Sequence, residues 1–162
     1  MSSYAQNLLG WLRDAHAMEE QAEELFSGQA KRLKPYGEIS LQLETEARSS
    51  VEHQKRLSIR IQQLGSDVST VKNTAAKILA LGQNIVGTVM SDEPVKGMLG
   101  LYTITQMGIG AYKILITAAE SMQDHETARV CADLLNEYKA RSLWLETNLQ
   151  DVTQLFLARS AA

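Results

Sequence analysis

The chain has one cysteine, two prolines and no uninterrupted apolar stretch of the roughly 18 residues that a membrane span requires. The single thiol, Cys131, excludes an intrachain disulfide framework and fits a reducing compartment. The opening residues, MSSYAQNLLGWLRDAH, lack the charged start and long apolar run of a secretion signal, so a cytoplasmic location is expected. An excess of one charge is missing as well. The 16 Lys and Arg are dispersed among 19 Asp and Glu, for a net charge of −3, which leaves no nucleic-acid footprint. Period-two alternation, β-branched clusters and Asn-Gly turns are absent, so no strands are expected. Nucleophilic triads and phosphate loops are absent too, because the Gly108-x-Gly110 pair has no strand before it.

What remains is helical periodicity. The two prolines, Pro35 and Pro94, fall where that periodicity breaks. A first segment runs from about Ser3 to Leu33, closes on Lys31, Arg32 and Lys34, and is broken by Pro35-Tyr36-Gly37. A second runs from about Glu38 to Leu64 and stops at Gly65. A shorter one, about Thr70 to Met90, contains Gly82 and Gly87 and carries the apolar residues Ile78, Leu79, Leu81, Ile85 and Val86. Ser91 or Asp92 suits an N-cap, with Glu93 and Pro94 in a first turn of a helix reaching about Met122. Asp124 can cap the last helix, which continues to near Arg159. Two tight antiparallel pairs joined by one long connection make an all-α, ferritin-like antiparallel four-helix bundle. Residues 1–162 form its single domain, and the crossover carries a short extra helix.

The core stripes carry the chemistry. On the first helix Leu8, Leu12, Ala15, Ala22 and Phe26 step by threes and fours, and Glu19 falls on the same line. A carboxylate there is costly unless it is paired, protonated or metal-bound. The second helix reads Leu43, Ala47, Ser50, Gln54, Leu57, Ile61, Leu64. The third reads Met98, Leu101, Thr105, Gly108, Tyr112, Leu115, Ala119. The fourth reads Cys131, Leu135, Tyr138, Ser142, Leu145, Leu149, Val152, Phe156. Each stripe is apolar at its ends and polar at its middle. Inward carboxylates in such a bundle are the material of di-iron sites, which also need a Glu-x-x-His pair on two helices. No Glu-x-x-His occurs here, and the third helix has no acid between Glu93 and Glu120.

The segments LRDAHAMEEQAEEL, RLSIRIQQLG, ITQMGIGAYKILITAAESM and ARVCADLLNEYKA together resemble the YciE/YciF-like branch of the ferritin-like proteins. Family members usually carry Val-Glu-His-Tyr-Glu on the third long helix, where this chain has Ile104-Thr105-Gln106-Met107-Gly108. The usual Glu-Glu-Thr of the second helix is Arg48-Ser49-Ser50, and the glutamate run of the fourth is Asn136-Glu137-Tyr138, followed by Ser142. Glu19 matches the family pattern, and His53 stands where some relatives also have His. The resemblance implies a stress-associated protein, without carrying over the family's metal site.

The resulting expectation is a non-catalytic bundle with no cofactor. It would be a binding or structural protein, a homodimer with a further protein partner, and free of nucleic acid and membrane. The competing expectation is a di-iron or mononuclear metal-binding protein with oxidase-type activity, its ligands drawn from Glu19, Glu46, His53 and Glu137. A third is a cavity left by Ser50, Thr105 and Gly108 that holds a small apolar ligand. In the plainest reading Glu19 is bonded to Tyr138, Ser50 or His53, or is tilted to the bundle edge. His53 is then satisfied within the core, Tyr112 and Tyr138 fill space, and Cys131 is an inert buried thiol.

Overall fold

The computed structural model describes residues 3–68 and 94–161. Four helices are present among them: α1 (Ser3–Arg32), α2 (Glu38–Gln63), α3 (Pro94–Ser121) and α4 (His125–Ser160). A single 3-10 turn, Lys34–Tyr36, joins α1 to α2, and no strand occurs among the described residues. The expected short helix at Thr70–Met90, its apolar stripe and the Ser91 or Asp92 cap lie outside the described residues.

The helix ends follow from local chemistry. Lys31 and Arg32 occupy the last turn of α1, exposed and facing its negative dipole end. Gly65 (φ +78°) ends α2 in a two-bond stop. Its N–H donates to the Gln62 carbonyl at 2.9 Å, and the Ser66 N–H donates to the Ile61 carbonyl at 3.1 Å. The same motif ends α3, with Gln123 and Asp124 N–H groups donating to Glu120 and Ala119 carbonyls. There the left-handed position belongs to Gln123 (φ +58°), a stop that no glycine announces in the sequence. Asp124 then caps α4, accepting from the Thr127 N–H at 3.1 Å.

α1 packs on α2 and α3, and α4 packs on α3 and α2. Gln29, near the end of α1, donates to the Pro94 carbonyl at the start of α3 (2.8 Å). Arg60, near the end of α2, binds Asp124 at the start of α4 (2.9 Å). Neighbours are therefore antiparallel all round. The two ends that residues 69–93 connect lie roughly 40 Å apart, the length of α2. That is the ferritin-like connectivity.

Two apolar clusters fill the two halves of the bundle. One gathers Leu12, Leu57, Ile61, Leu115 and Leu134; the other gathers Phe26, Leu43, Leu101, Leu145 and Val152. Between them lies the level at which every stripe turns polar: Glu19, Ser50, His53, Thr105, Arg141 and Ser142 are all buried. Two stripe positions differ from expectation. On α2 the core residue is His53 while Gln54 is half-buried, donating to the Glu23 carboxylate at 2.9 Å. On α4 the expected Leu135 and Ser142 are buried, Leu134 and Arg141 are buried beside them, and Leu149 and Phe156 are only half-buried.

Candidate functional site

Each of the four helices contributes one side chain to a continuous polar line through the bundle centre. Glu19 of α1 is fully buried, and its Oε1 accepts from the Tyr112 hydroxyl of α3. Its Oε2 lies 3.2 Å from Nδ1 of His53 on α2. That distance is within ion-pair reach, but the pair is not aligned as a hydrogen bond, and neither atom has another partner. The opposite ring nitrogen, Nε2, is 2.7 Å from Oε2 of Glu137 on α4. The second oxygen of Glu137 accepts from Arg56 Nη1 at 2.7 Å. Glu137 is 48% exposed, so the line runs from a buried phenol to solvent. A neutral imidazole donates from one nitrogen only, so which carboxylate a neutral ring serves depends on its tautomer. Burial pushes the Glu137 carboxyl up, but hydrogen bonds from His53 and Arg56 outweigh it and hold the group below the usual range.

Arg141 of α4 fills the adjoining half of the centre. Its Nε donates to Glu46 Oε2 at 2.8 Å, and Nη2 donates to the Glu46 carbonyl (3.0 Å) and to Ser50 Oγ (3.2 Å). The guanidinium carbon lies 4.7 Å from the centre of the Phe26 ring and 4.6 Å from that of Tyr138, two cation–π contacts in a desolvated place. Its Nη1 and the Tyr138 hydroxyl are buried without an aligned hydrogen bond, although Glu19 and Arg141 both act on that hydroxyl. Burial works against the guanidinium charge, but Tyr138, Glu19 and Glu46 outweigh it and the pKa is raised. Burial, reinforced by Glu19, raises the pKa of both phenols well above their ordinary range.

Gly108 makes this packing possible. A Cβ at that position would sit 2.1 Å from Cε1 of Tyr138, so the ring lies directly on the α3 backbone. The Tyr112 and Tyr138 rings meet edge to face at 5.3 Å.

Glu19, His53 and Glu137 are thus brought together, while Glu46 is not joined to them and pairs with Arg141 instead. Of the partners expected for Glu19, His53 lies within ion-pair reach and Tyr138 within its field, while the aligned hydrogen bond comes from Tyr112. The space expected beside Ser50, Thr105 and Gly108 holds Tyr138 and Arg141, and the Thr105 hydroxyl is turned to the Leu101 carbonyl (2.8 Å). Arg141 is a functional-site residue outside the expected stripes, although its spacing from Tyr138 and Leu145 puts it on the inward line. Cys131 is buried, and burial pushes its thiol up to about 12, so it is not a nucleophile near neutral pH.

The profile of the family described as Domain of unknown function (DUF892) matches residues 3–158. The chain belongs to that family. A crystal structure of a Xanthomonas campestris pv. campestris protein resembles this DUF892 chain over 99% of its length and all of the other chain, at 25% identity and a TM-score of 0.83. A Rhodobacter capsulatus bacterioferritin resembles it over 93% of this chain and 88% of the other, at 12% identity and a TM-score of 0.74. The second likeness shows that the DUF892 fold is ferritin-like. The bacterioferritin is described with a metal-free dinuclear site and a haem iron, a statement about that protein.

A dinuclear centre in this fold draws a Glu from two helices and a Glu-x-x-His pair from each of the others. In this DUF892 chain the described part of α3 offers Thr105, Gly108 and Tyr112 at that level, and no carboxylate. Glu46 is held by the Arg141 guanidinium, which brings a fixed positive charge to that level. Among the described residues no three His, Cys, Asp or Glu side chains are grouped to hold a metal. The donor set does not fit a dinuclear centre.

Proposed function

We propose that this DUF892 protein is a non-catalytic ferritin-like bundle in which a side-chain cation, Arg141, stands in for the metal centre of the fold. It serves as a binding or structural protein of the cytoplasm, stress-associated as the YciE/YciF-like resemblance implies, and works as a homodimer. The observation that carries the reading is the buried Arg141 guanidinium, paired with Glu46 and enclosed by Phe26 and Tyr138. A fixed cation at the bundle centre neutralises carboxylate charge that a metal would otherwise neutralise, and repels a metal that approaches. For the dimer, the support is a surface furrow of about 790 Å³ between α2 and α4, whose lining mixes half-buried Tyr36, Ile39 and Trp144 and exposed Leu155 with polar side chains such as Glu38 and Asp151.

The competing iron reading is favoured by one observation, the contiguity of Glu19, His53 and Glu137. Metal content per chain separates the two. It is measured on protein purified without chelator and again after aerobic loading with Fe(II). Substoichiometric metal in both preparations is the expected result. One or two irons per chain that disappear in Glu19→Ala would sink the proposal and make Glu19, His53 and Glu137 ligands.

A further inference from the structure

The two buried phenols of the bundle centre, Tyr112 and Tyr138, touch edge to face at 5.3 Å, yet their surroundings differ. The Tyr112 hydroxyl donates to Oε1 of Glu19, a carboxylate that is itself fully buried. The Tyr138 hydroxyl is under Glu19 and Arg141 alike but has no aligned hydrogen bond to either. Its ring carries the Arg141 guanidinium at 4.6 Å. One phenol has a base on its proton, and the other has a cation on its ring. That difference decides what each can do with an electron. A phenol that loses an electron becomes a strong acid, and in apolar surroundings the positive charge is costly unless the proton leaves. On Tyr138 the new charge would stand against a guanidinium in weak screening. On Tyr112 the proton passes along a hydrogen bond that already exists. The charge it discharges belongs to a buried carboxylate whose Oε2 has no hydrogen-bond donor.

We propose that Tyr112 is a one-electron redox site, with Glu19 as its proton acceptor, that reduces peroxyl radicals meeting the protein surface. In the step the Tyr112 ring gives one electron to the peroxyl radical, which becomes a hydroperoxide by taking a proton from solvent. The Tyr112 O–H bond breaks, its proton forms an O–H bond with Glu19 Oε1, and a neutral phenoxyl radical remains on Tyr112. The oxidant does not enter the bundle. Helices about 10 Å across put the centre roughly one helix diameter from solvent, a distance that an electron crosses by tunnelling. Burial then protects the product. Tyr112 is 0% exposed, so its radical cannot couple with a second one as a surface phenoxyl does. The pair needs no metal, and this role goes beyond that of Arg141 as the cation of the centre.

The test uses the full chain freed of metal by chelation, which keeps its outcome separate from the metal-content measurement. Peroxyl radicals are released from a water-soluble azo initiator, and samples are frozen at intervals for electron paramagnetic resonance. The expected result is a tyrosyl signal that persists after the radicals of exposed Tyr4 and Trp11 have decayed. It is expected to be kept in Tyr138→Phe and lost in Tyr112→Phe. In Glu19→Gln, which keeps the shape but not the base, its formation is expected to slow about 100-fold or more. On the parent chain, formation in D2O is expected to be about twofold slower or more, because an O–H bond breaks in the step. No persistent tyrosyl signal in the parent, or equal rates in H2O and D2O, would overturn the proposal without any variant. So would a signal that survives Tyr112→Phe, or one that forms in Glu19→Gln at the parent's rate.

Discussion

Removing the Arg141 side chain strands the Glu46 carboxylate, opens space between Phe26 and Tyr138, and leaves Ser50 without its donor. Breaking one partner out of a buried pair typically costs about 3–5 kcal/mol, because the remaining charge is uncompensated. Arg141→Ala is therefore expected to lose about that much in urea denaturation. The double variant Arg141→Met/Glu46→Leu removes both charges and is expected to recover most of the loss. A single variant within about 0.5 kcal/mol of the parent would show that the pair is solvated in solution. At this scale the sequence was half legible. Glu19 and His53 stood out because a carboxylate on an apolar stripe and a rare histidine are visible as exceptions. Arg141 did not, because a stripe position shared with the neighbouring Ser142 assigns a long cation to the surface by default. The pairing of Glu19 with Tyr112 was also beyond reach, since which hydroxyl meets a carboxylate depends on the rotation of two helices about their axes.

One residue, Asp124, ends α3, starts α4 and docks α2. Its N–H closes the α3 stop, its carboxylate caps Thr127, and both oxygens accept from Arg60 Nη2 at 2.9 and 3.1 Å. Burial raises its pKa, but the Thr127 and Arg60 hydrogen bonds outweigh burial and the net shift is downward. A carboxyl whose folded pKa lies below its unfolded value near 3.9 stabilises the fold fully above the unfolded value. That contribution is lost as pH falls through the folded one. Asp124→Asn keeps an acceptor for the cap and loses the charged bond, so at neutral pH it is expected to cost about 1.5–3 kcal/mol. Below about pH 4 its stability is expected to fall less steeply than the parent's, and the two curves to converge in acid. Parallel curves from pH 7 to pH 2 would rule out Asp124 as a contributor. The element boundaries around it were the most legible part of the chain. The starts and stops of α1, α2 and α4 lie within a residue or so of their expected positions, because Pro35, Gly65 and Asp124 each leave a local mark. Gln123 leaves none, since its left-handed backbone is imposed by the turn and not by its side chain.

At the scale of the whole molecule, the question is whether the bundle needs anything beyond its own side chains to hold four helices around a polar middle. In a bundle whose carboxylates are neutralised by metal, removing the metal leaves repelling charges at the centre, and stability is linked to metal concentration. Here Arg141 pairs Glu46 on one side, and Tyr112 and His53 meet Glu19 on the other. Folding alone therefore supplies the compensation. A ligand that binds the folded chain at 100 times its Kd adds about 2.7 kcal/mol, and for a chain of this length each kcal/mol moves Tm by roughly 2–4 °C. Metal binding at the centre would thus raise Tm by roughly 5–10 °C. The expected outcome is a Tm that moves by less than about 1 °C between exhaustive chelation and anaerobic Fe(II) in excess, by calorimetry. A rise of the full size in the parent, absent from Glu19→Gln, would mean that the centre binds iron despite Arg141. The charge network would then be the apo arrangement of a metal site, not its replacement.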